Sequence, residues 1–569
     1  MSGSASSDDE QLAAALGCTR TLARVLLGRG LADPEAARSF LAPRLGALTP
    51  PDAMADRDVA AARLARAVAG GESIAVFGDY DCDGITATAV VTEALRALGG
   101  AVTPLLASRY AGGYGVSRDG AERIRATGAG VVVTCDCGSS DHATLGPLRD
   151  EGRDIIVIDH HLVPPEPLPA LAFLNPHRPE CGFPYRGLAS CGLAFVLMAA
   201  VRRALGRELD LHALLDLVAL GTIADVAPLD GDNRILVRAG LERLRRAERP
   251  GVRALFEVLA RDTVTPVTGH EVGFRLAPRL NAPGRLGAPD LSLELLLAKS
   301  LAEARGLAAQ VEQVTARRRE LTRALEEEAA AEVEREGWGS EAAIVVGRAG
   351  WSPGVVGIVA GRLAERHGRP AVVVGFDSGR GTGSVRGPAG WRLFDWIASA
   401  APLLERFGGH QAAAGLEVRE ERLPTLRAAL VASAPAHAPE PGAAVARAVA
   451  VPLAVGDPPE RVLADLLRLE PCGEANPPPT LAVEATLAST RQVRGGHLKL
   501  ELALDGGGTL PAFAPNAGGR ACSRGERVRI LGELRHDTFR GGGAAELLVQ
   551  ALEAAGQEAP APRGGVALG

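Results

Sequence analysis

The sequence predicts an α/β fold: two α/β domains joined by a long helix, then a small all-β barrel. Three observations carry this expectation. Short apolar runs alternate with helical patterns in the first half of the chain, as parallel strands with crossover helices do. A charged helical stretch at residues 301–333 separates that half from a second strand-and-helix pattern opening at 342–346. Beyond it, apolar and polar side chains alternate between glycine-rich turns, the pattern of a small barrel.

In chain order, residues 1–60 read as a helical arm, with Asp33-Pro34 opening one helix in cap-then-proline order. Residues 61–240 form the first α/β domain. Ser73-Ile74-Ala75-Val76-Phe77 is a short buried strand that runs into Gly78-Asp79-Tyr80-Asp81-Cys82-Asp83-Gly84, with a helix expected over 85–98. Gly130-Val131-Val132-Val133-Thr134 is a second strand and ends at Asp136 and Gly138. Asp154-Ile155-Ile156-Val157-Ile158 is a third and ends in Asp159-His160-His161. A further apolar run at 218–225 ends at Asp225. Residues 241–340 are a helical connector. Its Arg317-Arg318-Arg319 and Glu326-Glu327-Glu328 fit a solvated helix face bridging two domains. Residues 341–434 are the smaller α/β domain, 435–441 a linker, 445–555 the barrel and 556–569 a disordered tail.

Loops at the carboxyl ends of parallel strands gather on one edge of the sheet, where such folds bind ligands. Asp79, Asp81, Asp83, Asp136, His160 and Asp225 can therefore converge although they lie far apart in sequence. Convergent carboxylates repel unless cations sit among them, and this many ligands suits two cations better than one. Carboxylate and imidazole ligands without thiolates favour manganese, with magnesium possible. Two such ions roughly 3.5–4 Å apart form a clamp for displacement at phosphorus. The reaction class is metal-assisted hydrolysis of a phosphate ester. An EF-hand reading of Asp79-x-Asp81-x-Asp83-Gly84 fails, because its twelfth position is Val90 and a strand precedes it. A haloacid-dehalogenase-type phosphatase is also a weaker match, since it wants a downstream site lysine and lysine occurs only at 299 and 499.

These strings resemble the DHH phosphoesterase family: Asp79 to Gly84, Thr134 to Gly138, Asp159 to His161, and Gly221-Thr222-Ile223-Ala224-Asp225. Within it, the chain is most similar to the branch of single-strand-specific 5′→3′ DNA exonucleases. Further strings in matching order extend the resemblance over nearly the whole length. They include Arg109-Tyr110-Ala111-Gly112-Gly113-Tyr114-Gly115, the segment from Leu276 to Arg285, the segment from Trp351 to Ala360, Gly383-Ser384-Val385-Arg386-Gly387 and Phe407-Gly408-Gly409-His410. Three departures stand out. Ser352 occupies a position usually His, Cys135 and Cys137 flank Asp136, and Ser190-Cys191 replaces a glycine and a small residue.

The resemblance implies a DHH catalytic domain, a DHH-associated domain and a C-terminal OB-fold. It implies Asp79 and Asp81 on one metal, Asp83, His160 and Asp225 on the other, and Asp136 bridging. It places Asp136, His160, His161 and Arg279 in catalysis, with Asp159 orienting the imidazoles. It gives Arg109, Ser384 and Arg386 the terminal 5′-phosphate, and Arg279, Asn281 and His410 the phosphate or nucleotide near the metals. The expected product is the 5′-mononucleotide, with roles in DNA repair and recombination. The barrel would feed in single-stranded DNA along Arg491, Arg494, Lys499, Arg527, Arg529 and Arg535. A single-strand-binding protein and a helicase are implied partners of a monomer. The alternative is a DHH phosphodiesterase for short oligonucleotides or cyclic dinucleotides, which lacks the arm and barrel.

Composition agrees without deciding. At 569 residues and 47% hydrophobic content the chain can build several cores. Its eight cysteines form no Cys-x-x-Cys pair and read as reduced side chains of a cytoplasmic protein. The opening ten residues are polar and acidic, unlike a signal peptide, and no run is long enough to span a membrane. The net charge of −6 neither announces nor excludes nucleic-acid binding, which depends on local field.

Overall fold

The computed structural model describes residues 7–261, 266–439, 449–518, 523–537 and 544–554. The expected tail at 556–569 and Cys522 lie outside them. The expected linker at 435–441 begins instead as a 3₁₀ turn, Ala434–His437, with Ala434 inside the second domain's core, and its last two residues are not described.

The first sheet holds β1 (Ser73–Gly78), β2 (Ala101–Leu106), β3 (Val131–Cys135), β4 (Asp154–Ile158) and β5 (Ala172–Leu174). All pair in parallel, in the order β2-β1-β3-β4-β5. Side chains alternate between faces along a strand, and both faces are covered. Ile74 and Val76 join one core with the helices Arg57–Gly70, Cys82–Ala97 and Ser190–Leu205. Ala75 and Phe77 join another with Arg118–Ala126 and His142–Asp150. Two-sided burial is why these strands read as unbroken apolar runs. From β1 the chain steps to β2 on one side, then returns to β3 on the other. That reversal opens a crevice at the carboxyl ends of β1 and β3. Asp79 directly follows β1 and Asp136 directly follows β3.

The apolar run at 218–225, grouped with the strands by its composition, belongs to a helix, Leu215–Ala224. Its residues from Leu215 to Thr222 are buried on every side. A run apolar all round does not separate a buried strand from a buried helix. Asp225 therefore arrives from a helix C-terminus rather than a strand end.

The helix Leu301–Arg335 spans 35 residues and ties two cores together. Ala304, Ala308 and Val311 pack in the first domain, whereas Leu325, Ala329 and Val333 pack in the second. The second sheet has β6 (Ile344–Ala349), β7 (Ala371–Asp377), β8 (Arg380–Arg386), β9 (Arg406–His410) and β10 (Ala413–Arg419). Its order is β6-β7-β8-β10-β9, parallel only between β6 and β7.

The third sheet contains β11 (Val451–Pro452), β12 (Leu481–Val493), β13 (His497–Leu504), β14 (Thr509–Ala514), β15 (Arg527–His536) and β16 (Ala545–Ala554). The pairing runs β12-β13-β14-β16-β15, and β15 returns to β12, closing a five-stranded barrel. The sequence's alternating runs at 483–487, 497–504, 527–534 and 546–552 leave out β14, because Pro511 sits in its middle and proline argues against a ladder position.

The N-terminal helices are not a free arm. Leu12, Leu22, Val25, Leu26 and Leu41 share one core with the barrel's Val483, Leu500 and Ile530. The Thr19 N–H donates to Asp465 at 2.7 Å, and Thr21 reaches Asp457 at 2.7–2.8 Å. Arg234 fastens this body to the catalytic domain. Its guanidinium lies 3.8 Å from the Phe40 ring and donates to the carbonyls of Phe40 and Leu469. Among the described residues no helix is long and apolar enough to cross a membrane.

Candidate metal centre and phosphate pocket

The metal centre is built at the crevice. Asp81 caps the helix Cys82–Ala97, its carboxylate accepting from the N–H groups of Asp83 and Gly84 at 3.1 Å. This places Asp79, Asp81 and Asp83 around one turn. A side chain at Gly84 would lie 2.5 Å from the Asp79 carbonyl, so the turn admits only glycine there. Asp136 takes a left-handed conformation, φ 62°, just past β3. Asp159 is fully buried and accepts from Ser139 N, His160 N and His161 N at 2.8–3.1 Å. It also holds His161 Nδ1 at 2.7 Å. Asp159 thus ties down the His161 ring and the backbone N–H groups of both histidines.

Ligand-type atoms of Asp79, Asp81 and Asp136 lie within 4.8 Å of one another, and so do those of Asp83, His160 and Asp225. A third such group is Asp136, His160 and His161. His160 Nε2 stands 3.3 Å from Asp136 Oδ1, 3.7 Å from Asp225 Oδ2 and 4.0 Å from Asp83 Oδ2.

These donors fit divalent cations. Asp79 Oδ1 and His160 Nε2 are buried with no hydrogen-bond partner. Burial, and then the neighbouring carboxylates, push Asp79, Asp136 and Asp225 well above the usual carboxylate range. Burial holds His160 below its ordinary value, which keeps the imidazole neutral as a ligand must be. Burial opposes charge on His161, but the bond to Asp159 outweighs it and raises that imidazole to about 9.

A second cluster lies where the two α/β domains meet. Arg386 Nη1 donates to Ser384 Oγ at 2.9 Å, and Arg109 lies over the Tyr80 ring at 4.5 Å with its buried Nε unpaired. Arg285 joins them. Burial, then Arg109, Arg318 and Arg386, lowers its pKa to about 9. Poorly solvated guanidiniums crowded together form a ready anion site. Gly354 seals the contact, because a Cβ there would strike the Arg285 carbonyl. Tyr110 bridges the domains, its hydroxyl 3.0 Å from that carbonyl and 3.3 Å from Ser352 Oγ. Ser352 is thus a partner of Tyr110.

Comparison with known proteins agrees with this layout. Family models match in three places: the DHH family N-terminal domain at 73–222, the DHHA1 domain at 340–434 and the RecJ OB domain at 450–551. The single-stranded-DNA-specific exonuclease RecJ of Bacillus subtilis (strain 168) is 34% identical over 539 residues, covering 94% of this chain and 68% of that protein. That of Dickeya dadantii (strain 3937) is 37% identical over 522 residues, covering 86% and 89%. The chain belongs to the RecJ family. The crystal structure of RecJ in complex with Mn2+ from Thermus thermophilus superposes with TM-score 0.81 at 33% identity, covering 98% of this chain and 79% of that one. A magnesium complex of RecJ from the same organism also matches, with TM-score 0.75, 30% identity and 98% and 78% coverage. As a RecJ family member the protein is a metal-dependent nuclease, and the expectation of manganese or magnesium is met.

The remaining expected residues sit as follows. His410, from the second sheet's edge strand, stacks on His161 with ring centroids 5.8 Å apart and planes 18° apart. Asn281 Oδ1 is buried and unpaired. Arg279 is not brought to the carboxylates. Its guanidinium forks onto Glu312 at 2.7 and 3.2 Å and onto the Arg275 carbonyl at 2.8 Å. In the RecJ barrel, Arg527, Arg529 and Arg535 pair with Asp505, Glu553 and Glu546. Arg491 sits opposite Lys499 across the β12–β13 pair, and Lys499 sits opposite Phe513.

The sequence reading missed Ser190 and Tyr114 as site residues. The N–H groups of Ser190 and Cys191, at the start of the helix Ser190–Leu205, hold both oxygens of Asp83 at 2.7 and 3.0 Å. The Tyr114 hydroxyl lies 3.0 Å from His161 Nδ1. Tyr114 stands inside a string that carried the family resemblance, whereas Ser190 stands in one read as a departure from it. Glu312 had no signal beyond one charge among many on a long helix.

Proposed function

We propose that this RecJ family member is a single-stranded-DNA-specific 5′→3′ exonuclease that releases 5′-mononucleotides by phosphodiester hydrolysis. The observation that carries the reading is the complete ligand set, Asp79, Asp81, Asp83, Asp136, His160 and Asp225, in a chain that also carries the barrel. Asp79 and Asp81 would hold one cation, Asp83, His160 and Asp225 the other, and Asp136 both. Bound divalent cations supply activation of water and neutralise charge at the scissile phosphate.

The chain's own residues do the rest. Arg109, Ser384 and Arg386, with Arg285 beside them, anchor the terminal 5′-phosphate. His161, its Nδ1–H held by Asp159, keeps Nε2 for a phosphoryl oxygen. Asn281 and His410 contact the nucleotide between anchor and metals, and Arg279 reaches the phosphate by leaving Glu312. A fixed anchor near the metals accounts for single-nucleotide steps. The strand enters along Arg491, Arg494 and Lys499 of the barrel, with base stacking on Phe513. Roles in repair and recombination, a cytoplasmic monomer, and cooperation with a single-strand-binding protein and a helicase belong to the same reading.

The test is product analysis on a long 5′-phosphorylated single strand with manganese, beside Asp136→Ala. Immediate release of 5′-labelled mononucleotide, with gradual shortening of a 3′-labelled strand, is expected. Survival of the long strand while dinucleotides are cleaved would overturn the reading in favour of a short-substrate phosphodiesterase.

A further inference from the structure

The Tyr114 hydroxyl occupies a particular place in the site. It lies 3.2 Å from the backbone carbonyl of Asp136 and 3.0 Å from His161 Nδ1. A phenol is protonated at neutral pH, so its single proton goes to the carbonyl and its lone pair faces the imidazole. The Nδ1–H of His161 is then shared between Tyr114 Oη and the Asp159 carboxylate, 2.7 Å away. Two acceptors on one edge fix the rotation of the ring and hold its Nδ1–H, leaving Nε2 as the working nitrogen. Neighbouring rings box it in: Tyr114 edge-on at 5.3 Å, His160 at 4.6 Å and His410 stacked at 5.8 Å.

The Asp136 contact matters as much. Asp136 is a non-glycine residue in the left-handed region, a conformation that surrounding contacts must hold. Tyr114 grips the carbonyl of that same residue. The loop that presents Tyr114 is itself shaped for the purpose. Gly112, Gly113 and Gly115 all have positive φ, and a side chain on Gly115 would fall 2.8 Å from the Asp141 carboxylate. Asp141 in turn accepts the Val116 N–H at 2.7 Å.

We propose that Tyr114 is a positioning residue of the reaction, its one hydroxyl tying the imidazole of His161 to the peptide of Asp136. This deepens the proposed function and rests on it for the role of His161. Metal-orienting partners of this kind change affinity or rate by roughly 10- to 100-fold when removed.

The test is Tyr114→Phe, which keeps the ring and deletes the hydroxyl from a side chain whose residue is 43% exposed. In the full-length manganese enzyme, kcat is expected to fall about 10- to 100-fold with KM held within about threefold. An unchanged kcat, or a loss confined to KM, overturns the proposal. The second readout needs no substrate: the histidine 15N spectrum of the metal-free protein. The wild type is expected to give a His161 Nδ1–H signal set by two acceptors, Tyr114 and Asp159, and the variant a signal shifted to that of Asp159 alone. Identical spectra overturn the proposal even if the variant melts lower. Because the spectrum involves no nucleic acid, failure of the exonuclease reading leaves this result interpretable on its own.

Discussion

Ser190 Oγ stands 3.0 Å from Asp136 Oδ1, while the backbone N–H of the same serine donates to Asp83 at 2.7 Å. One residue at a helix start therefore holds two carboxylates assigned to the metals. The partial positive charge of a helix N-terminus suits that position.

Replacing Ser190 with alanine keeps the backbone contact and removes the hydroxyl. Manganese affinity should fall about tenfold, as for other groups that orient a ligand. Calorimetric titration of the metal-free protein measures it. Activity should recover at high manganese, and an unchanged affinity would leave the hydroxyl without this function.

Metal-free stability should depend on pH in a definite sense. Asp79, Asp136 and Asp225 have folded-state pKa values raised by burial and by each other. A raised carboxyl pKa stabilises the fold below the ordinary carboxylate value, and that contribution is lost as pH rises through the raised values. The metal-free melting temperature should therefore drop over that rise. Manganese displaces the protons and cancels the repulsion. The melting shift produced by saturating manganese should widen with pH. A shift that is flat with pH would contradict this.

Arg279 and Glu312 should behave as one unit. Deleting Glu312 leaves a buried, charged fork without its acceptor, a loss of about 1–3 kcal/mol. A double-mutant cycle of Arg279→Ala and Glu312→Ala, followed by denaturant melts, should give a coupling of about 0.5–3 kcal/mol. Lysine at 279 should not restore activity, because an ammonium cannot reproduce the planar fork.

The barrel prediction concerns charge. Among the described residues Arg491 and Arg494 have no acidic partner in an ion pair, unlike Arg527, Arg529 and Arg535. Reversing both to glutamate should raise KM for a long strand and flatten its salt dependence. Cleavage of a dinucleotide, too short to reach the barrel, should be unaffected. Equal losses on both substrates would place the defect in the catalytic domain.

The metal ligands could be read from sequence because each sits where an apolar run stops, and such runs mark sheet edges. Asp225 was found by the same sign although its run is helical, since the site needs only the carboxylate's place. Pro511 hid a strand. Ser190 acts on Asp136 from 54 positions away, and Tyr114 on His161 from 47. Glu312 holds Arg279 across 33. Side chains of that kind have no periodicity to reveal them. The docking of the N-terminal helices on the barrel was equally invisible, because two apolar faces in distant segments carry no mark of being each other's partner.

That docking has a consequence for how the chain is made. Thr19 and Asp465, hydrogen-bonded in the finished molecule, are 446 residues apart. At a synthesis rate of about 5–20 residues per second, the first helices emerge roughly 20–90 seconds before the segment that covers them. Throughout that interval Leu12, Leu22, Val25 and Leu26 have no barrel to bury against. The newborn chain carries an uncovered apolar face on these helices while its catalytic domain is already able to fold. Slowing translation should therefore lengthen its dependence on chaperones, and this core is sealed only when the barrel closes over these helices.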